Sequence, residues 1–238
     1  MKLKQITFTG IDKWTDLSEL KKIQKYVPNI EFGVLLSRNW KENGNRYFDP
    51  SELYKLRGLG LNLSCHLCGY LSREAVNNNW KPAIDLCEGN FDLFKRCQLN
   101  VSNNKSNPEK LELDIPDTLD EVIIQQHSVD NIDLWKSTMP NNKITILLDA
   151  SGGQGIDTPV VALDSPFKVG YAGGISFDNI SDKVSFLENS PIVRDYWVDM
   201  ESSVRTDDKF DIKKVMACIF KLCIDDIVYF SQFVSSPK

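Results

Sequence analysis

Between Ile144 and Arg205 one local pattern recurs: a short apolar run stops at a carboxylate, a glycine pair or hydroxyls, and a loop with a helix-forming segment follows. The runs are Ile144-Thr145-Ile146-Leu147-Leu148-Asp149-Ala150 ahead of Ser151-Gly152-Gly153-Gln154-Gly155, then Val169-Gly170-Tyr171-Ala172 ahead of Gly173-Gly174, then Tyr196-Trp197-Val198-Asp199-Met200-Glu201 ahead of Ser202-Ser203. Runs of this kind suit parallel strands covered by helices on both faces, whose carboxyl ends alone meet solvent. The polar residues therefore mark one rim, with a helix expected in each interval between strands. Glycines there let a backbone approach closely, and free N–H groups at a helix start complement a phosphate dianion. A plainer reading is that the glycines only make tight turns; the pairing of Gly173-Gly174 with Ser202-Ser203 favours phosphate.

Read in order, the rest of the chain continues the alternation. Strands are expected at Gln5 to Thr9, Ile30 to Ser37, Leu61 to Cys68, Lys95 to Asn100, Glu121 to His127, Ile144 to Asp149, Lys168 to Ala172 and Tyr196 to Asp199. Helices are expected from Leu17 to Tyr26 behind a Thr15 or Asp16 cap, from Pro50-Ser51, from Ser72, near Lys81 to Glu88 with Trp80 packing beside it, around Asp130 to Lys136 with Trp135, from Asn179 to Glu188 and from Phe210 to Leu222. Glu109 to Leu113 reads as an irregular fourth helix ending before Pro116. Strand and helix alternating in this way give an α/β chain folded as a single (β/α)8 (TIM) barrel over residues 1–238, with 225–238 a short tail packed on it. Side chains alternate along a strand, which places Thr9, Ser37, His66, Asn100, His127, Asp149 and Asp199 near carboxyl ends and facing the axis. In such barrels the loops after the last two strands commonly hold phosphate.

Charge and cysteine usage narrow the partners. A net charge of −5 without a basic block argues against nucleic acid. No apolar run approaches a membrane span and the first residues lack a signal-peptide core, so a cytoplasmic protein is expected. The six cysteines sit mostly in apolar segments and suit reduced, buried thiols. Cys65-His66-Leu67-Cys68 does not form a metal site on a strand, because Cys65 and Cys68 point to opposite faces. Gly152-Gly153-Gln154-Gly155 lacks the Lys-Ser/Thr of a nucleotide loop, so neither cofactor nor metal is expected.

The order of these motifs resembles phosphoribosylanthranilate isomerase, a barrel enzyme of tryptophan biosynthesis that converts an aminoaldose 5-phosphate to an aminoketose. Leu147-Leu148-Asp149 with Gly152-Gly153-Gln154-Gly155 is similar to the family's strand-six aspartate and Gly-rich loop. Ala172-Gly173-Gly174-Ile175 with Asp178-Asn179-Ile180 resembles its phosphate turn, and Val198-Asp199-Met200-Glu201-Ser202-Ser203-Val204 its Val-Asp-Val-Ser-Ser-Gly-Val signature. Arg46-Tyr47 resembles its Arg-Tyr in the second loop, and Gln98-Leu99-Asn100 its Gln-Leu-His. The resemblance implies Asp149 as the general acid and Arg46 as partner of an anionic group at the far end of the substrate from the phosphate. It also implies Gly153, Gly155, Gly173, Gly174, Ser202 and Ser203 around the phosphate, Asp199 shaping that site, and Asn100 facing the ligand.

Two departures matter. Thr9 stands where the family has its catalytic cysteine, and a threonine hydroxyl is too weak a base near neutral pH. His66 is the first replacement, followed by His127 and Asp199, with Cys68 behind them. Ser203 stands where the family has glycine, and Arg205 nearby could compensate by adding positive charge. The expected activity is aldose–ketose isomerisation of a phosphorylated sugar. The alternatives are another phosphosugar isomerase or lyase on the same scaffold, or a phosphometabolite-binding protein without catalysis.

Overall fold

The structure, a computed structural model, describes residues 2–42, 44–100, 113–129, 143–152, 154–165 and 168–224. Its centre is a closed barrel of eight parallel strands in sequence order. They are β1 (Leu3–Thr9), β2 (Ile30–Leu36), β3 (Leu63–Leu67), β4 (Arg96–Leu99), β5 (Glu121–Gln126), β6 (Ile144–Asp149), β7 (Val169–Ala172) and β8 (Tyr196–Met200). Strand β8 pairs back onto β1, with Ile6 opposite Val198 and Thr7 opposite Asp199. Outward residues such as Phe8, Phe32, Cys65, Leu67, Cys97, Val122 and Val198 are buried in one continuous core. That burial on both faces is why the strands read as unbroken apolar runs.

Around the barrel lie α1 (Leu17–Tyr26), a 3-10 segment (Pro50–Leu56), α2 (Tyr70–Val76), α3 (Lys81–Leu86), α4 (Ile180–Asn189) and α5 (Ile212–Ile224). Helix α1 begins at the expected cap, where the Asp16 carboxylate accepts from the N–H groups of Ser18 and Glu19. Trp80 is buried beside α3 as expected.

Three expectations change. The interval between Gly155 and β7 carries no helix among its described residues, 154–165; its Pro159-Val160-Val161 run has no helical periodicity. The helix expected from Pro50 is a 3-10 segment. After β8 the chain forms a small antiparallel ribbon, β9 (Arg205–Thr206) with β10 (Lys209–Phe210), turned by Asp207 and Asp208 at φ 50° and 54°. Helix α5 starts behind that ribbon, at Ile212 rather than Phe210. The helix around Asp130 to Lys136 with Trp135, residues 109–112 of the irregular fourth helix, Gly153 and the tail 225–238 lie outside the described residues.

The barrel interior is layered. At the amino ends of the strands, Arg96 donates through Nη1 to Glu31 (2.9 Å) and through Nε to Glu121 (2.7 Å). Thr7 donates to Glu31 and Thr145 to Glu121, each at 3.0 Å, and Lys168 pairs with Glu121 at 3.3 Å. The Trp197 ring covers both cations, with the Arg96 guanidinium 4.5 Å and the Lys168 ammonium 5.1 Å from its centroid. Ile123, Leu147 and Trp197 form the apolar plug of the interior. Gly170 is glycine because a Cβ there would lie 2.2 Å from the Trp197 ring. Toward the carboxyl ends the barrel opens.

Candidate active site

A cavity of about 300 Å³ occupies the carboxyl end of the barrel. Strand parity delivers its walls: Gln125 and His127 from β5 and the turn after it, Leu147 and Asp149 from β6, Asp199 and Glu201 from β8 and the turn after it, and Gln98 and Asn100 from β4 and the residue after it. Loops add Arg46 and Tyr47, Ser151, Gly152 and Gly155, Gly173 and Gly174, and Ser202 and Ser203. Of the residues singled out in the sequence, Arg46, Asn100, His127, Asp149, Gly155, Gly173, Gly174, Asp199, Ser202 and Ser203 line this one cavity. Gly153 lies outside the described residues, and His66 is not among the lining residues.

Asp149 is held firmly. Its Oδ2 accepts from Gln125 Nε2 at 2.7 Å, and its Oδ1 accepts from the Ser151 hydroxyl (2.7 Å) and N–H (3.1 Å). The Ser151 contacts form an Asx turn that starts the Gly-rich loop, and Gly152 follows at φ 64°. His127 Nδ1 stands 3.2 Å from the Asp149 carbonyl oxygen.

Asp199 is buried and accepts from the Thr9 hydroxyl at 2.7 Å. Burial, with Glu201, Glu31 and Asp149 as like-charged neighbours, pushes its carboxyl up to about 8 against the opposing Thr9 hydrogen bond. Thr9 is itself buried and not among the lining residues, but its hydrogen-bond partner Asp199 is an ionisable group in the cavity wall.

His66 faces the axis, yet its ring turns beneath the cavity. Nε2 lies 3.3 Å from Ser64 Oγ and 3.4 Å from Thr9 Oγ1. Gly33 makes room for this pair, since a Cβ there would stand 2.4 Å from Thr9 Oγ1 and 3.0 Å from His66 Nε2. Burial and the Arg96 charge push the imidazole down to about 3, so it is neutral at physiological pH. Cys68 lines the cavity, but burial and Glu201 push its thiol up to about 12, which leaves it without basic character near neutrality.

The glycine wall is tightly built. Gly173 and Gly174 have φ of 98° and 65°, and a Cβ on Gly174 would fall 2.3 Å from the Asp157 backbone nitrogen. Residues 156–158 therefore cross directly over this turn, and both glycines have a structural reason to be there. Lys183 from α4 holds the crossing: its ammonium donates to the Thr158 carbonyl at 2.6 Å and pairs with Asp157 at 2.7 Å. Ser203, in place of glycine, is accommodated because its hydroxyl donates to the Ile175 carbonyl at 2.6 Å. Arg205 does not add charge to this wall. It is buried, donating to the Gly10 carbonyl (2.6 Å) and to Asp12 (3.0 Å), where it ties the loop after β1 to the ribbon after β8.

Two site residues escaped the sequence reading. Glu201 takes the guanidinium of Arg46, from Nη1 at 2.9 Å, while Arg46 Nη2 pairs with Asp208 at 3.3 Å. The signal was its i+2 spacing from Asp199, which carries inward parity one step beyond the strand. Lys183 was visible as a lysine three residues after Ile180 and one before Val184 on the buried stripe of α4.

No protein-family model and no curated protein sequence matches the chain. Solved structures do. A phosphoribosyl anthranilate isomerase from Thermococcus kodakaraensis superposes with TM-score 0.56 at 13% identity, over 93% of this chain and 99% of that one. The N-(5'-phosphoribosyl)anthranilate isomerase of Pyrococcus furiosus gives 0.52 at 16% identity, over 91% and 97%. A truncated 3-deoxy-D-arabino-heptulosonate 7-phosphate synthase from Thermotoga maritima gives 0.51 at 10% identity, over 95% and 88%. At these identities the likeness is one of fold, the (β/α)8 barrel.

Proposed function

We propose that the chain is an isomerase of the phosphoribosylanthranilate isomerase type, opening a phosphorylated aminoaldose and moving a proton to give the aminoketose. The observation that carries this reading is the placement of two differently housed carboxyls, Asp149 and Asp199, in one cavity with Gly173, Gly174, Ser202 and Ser203. Proton transfer between neighbouring carbons needs one group that gives and one that takes, and paired carboxyls in unlike environments are a common way to supply both. The solved structures of like fold support the choice of reaction, because two of them carry it in their names.

Asp149 gives a proton to the ring oxygen as the C1–O bond breaks, while the nitrogen on C1 donates its lone pair and becomes an iminium. The base then takes the C2 proton, the C2–H electrons form the C1–C2 double bond, and the resulting enolamine tautomerises to the ketone. His66, the first replacement the sequence offers, lies under the cavity, and burial leaves its imidazole too weakly basic for the step. We assign that step to Asp199, with Thr9 positioning it at 2.7 Å. A carboxyl titrating near 8 is about one-tenth ionised at pH 7 and is a far stronger base in that form than an ordinary carboxylate. His127 lies in the same cavity but meets the Asp149 backbone carbonyl rather than its carboxyl, and it takes no proton step. The phosphate would meet the wall formed by Gly155, Gly173, Gly174, Ser202 and Ser203.

Turnover of N-(5-phosphoribosyl)arylamines by wild type and variants tests the reading. Asp149→Asn is expected to lower turnover about 1,000-fold or more, with ketose-phosphate binding retained. Asp199→Asn should cost about 100-fold or more, and His66→Gln less than about 10-fold. Loss of activity in His66→Gln with retention in Asp199→Asn would return the base to His66. Binding of the sugar phosphates without turnover of any of them would leave a non-catalytic binder.

A further inference from the structure

Arg46 is the only lysine or arginine among the described residues that line the cavity, and Asp149, Asp199 and Glu201 line it as well. Its charge is already engaged. Nη1 points to Glu201 at 2.9 Å and Nη2 to Asp208 at 3.3 Å, so the two outer nitrogens of the guanidinium face protein carboxylates. A ligand carboxylate binds arginine best through two parallel N–H donors, and here each outer nitrogen already gives one N–H to a protein carboxylate, so the cation is balanced before a ligand arrives. Glu201 is not a swinging surface residue. It follows β8 directly and continues the inward parity of Asp199, while Arg46 reaches it from the loop after β2, across the mouth of β1.

We infer that Glu201 sets substrate charge: the part of the ligand that reaches the Arg46 side of the cavity is uncharged, and the phosphate is the substrate's sole anionic group. The inference rests on the phosphorylated-sugar reading above and narrows it. A second carboxylate placed at Arg46 would meet the like charges of Glu201 and Asp208 at close range, and that repulsion discriminates between ligands. Arg46 stands against Glu201 and Asp208, and Arg205 against Asp12, so the described residues leave no surplus positive charge to offer a further anion. A neutral arylamine, or a neutral polyhydroxyl or amide group, can instead accept from one of the remaining Arg46 donors or donate to Glu201.

The test is calorimetric binding of two ketoses that differ only in one carboxylate, 1-phenylamino-1-deoxyribulose 5-phosphate and its 2-carboxyphenyl counterpart. Wild type should bind the uncharged-ring compound at least about 10-fold more tightly. Glu201→Gln should reduce that preference to less than about 3-fold or reverse it, and Glu201→Ser, a smaller side chain, should do the same if the glutamine variant folds poorly. Tighter binding of the carboxylated ketose by wild type, or a preference untouched in both variants, would overturn the inference and leave the phosphorylated-sugar reading standing. Binding of neither ketose by folded wild type would remove both.

Discussion

The barrel holds two charged layers, one at each end of the same strands, and they are built on opposite terms. At the amino end, Glu31, Arg96, Glu121 and Lys168 are matched two against two, saturated by Thr7 and Thr145, and roofed by Trp197. At the carboxyl end, among the described residues, one arginine faces Asp149, Asp199 and Glu201 in an open cavity. Charge that is balanced and buried closes a structure; charge left in excess beside a cavity is available for chemistry, and there burial first, with like-charged neighbours adding to it, raises the Asp199 carboxyl. The difference arises within two to four residues of strand, as from Glu31 to Gly33 or from Thr145 to Asp149.

The largest effect should come from breaking the closed layer. Arg96→Met leaves the buried Glu31 carboxylate without its cation and Glu121 with Lys168 alone, which is expected to cost about 3–5 kcal/mol in denaturant unfolding. A cost below about 1 kcal/mol would mean that the layer is not what closes the barrel. Next in size is the glycine wall. Gly174→Ala asks alanine to adopt φ 65° and to overlap the Asp157 backbone at 2.3 Å, and about 1–3 kcal/mol should be lost. An unchanged midpoint would show that the segment over Gly174 yields freely.

A third prediction separates the layers by pH. Asp199 keeps its proton in the folded chain up to about 8, against an ordinary value of 3.8, so its contribution is complete at low pH and is lost as pH rises through 8. His66 refuses a proton down to about 3, against an ordinary 6.5, so its contribution is present above 6.5 and is lost as pH falls. Between about 4 and 6.5 the two slopes cancel, and from 6.5 to 8 Asp199 acts alone at about 1.4 kcal/mol per pH unit, or about 2 kcal/mol in all. Stability measured across that window should fall in wild type and stay flat in Asp199→Asn. With Asp199 as base, kcat/KM should rise toward a plateau above pH 8; a falling limb there would make Asp199 the acid.

Alternation made the barrel legible. The outward parity of each strand is apolar and the inward parity carries the polar residues, so the inward set, including His66, Asp149 and Asp199, could be read before any contact was known. What alternation does not encode is the direction of a ring once inside. His66 turns down to Ser64 and Thr9 because Gly33, on the neighbouring strand, leaves the space. Nor does it encode partners from distant loops: nothing local to Arg46 announces Glu201, more than 150 positions away in the chain. The ribbon of β9 and β10 was missed because two residues per strand are too few to show a period, and the helix expected before β7 was inferred from the repeat rather than from its own residues.

The smallest predicted effect sharpens the comparison most. Arg46 and Arg96 have the same chemistry and the same kind of surroundings, a guanidinium flanked by two carboxylates. Arg96 and Glu31 are 8% and 3% exposed at the side chain, whereas Arg46 and Glu201 are 37% and 30% exposed. Solvent screens the second pair, and such pairs contribute about 0–1 kcal/mol. Arg46→Met should therefore cost less than about 1 kcal/mol in unfolding, while the Glu201 carboxyl, relieved of the cation that lowers it, titrates still higher. Ligand affinity, not stability, should register the change. If Arg46→Met destabilised the protein as much as Arg96→Met, the Arg46–Glu201–Asp208 contact would be a structural clasp, and the charge at the mouth would serve the fold in the same way as the charge at the base.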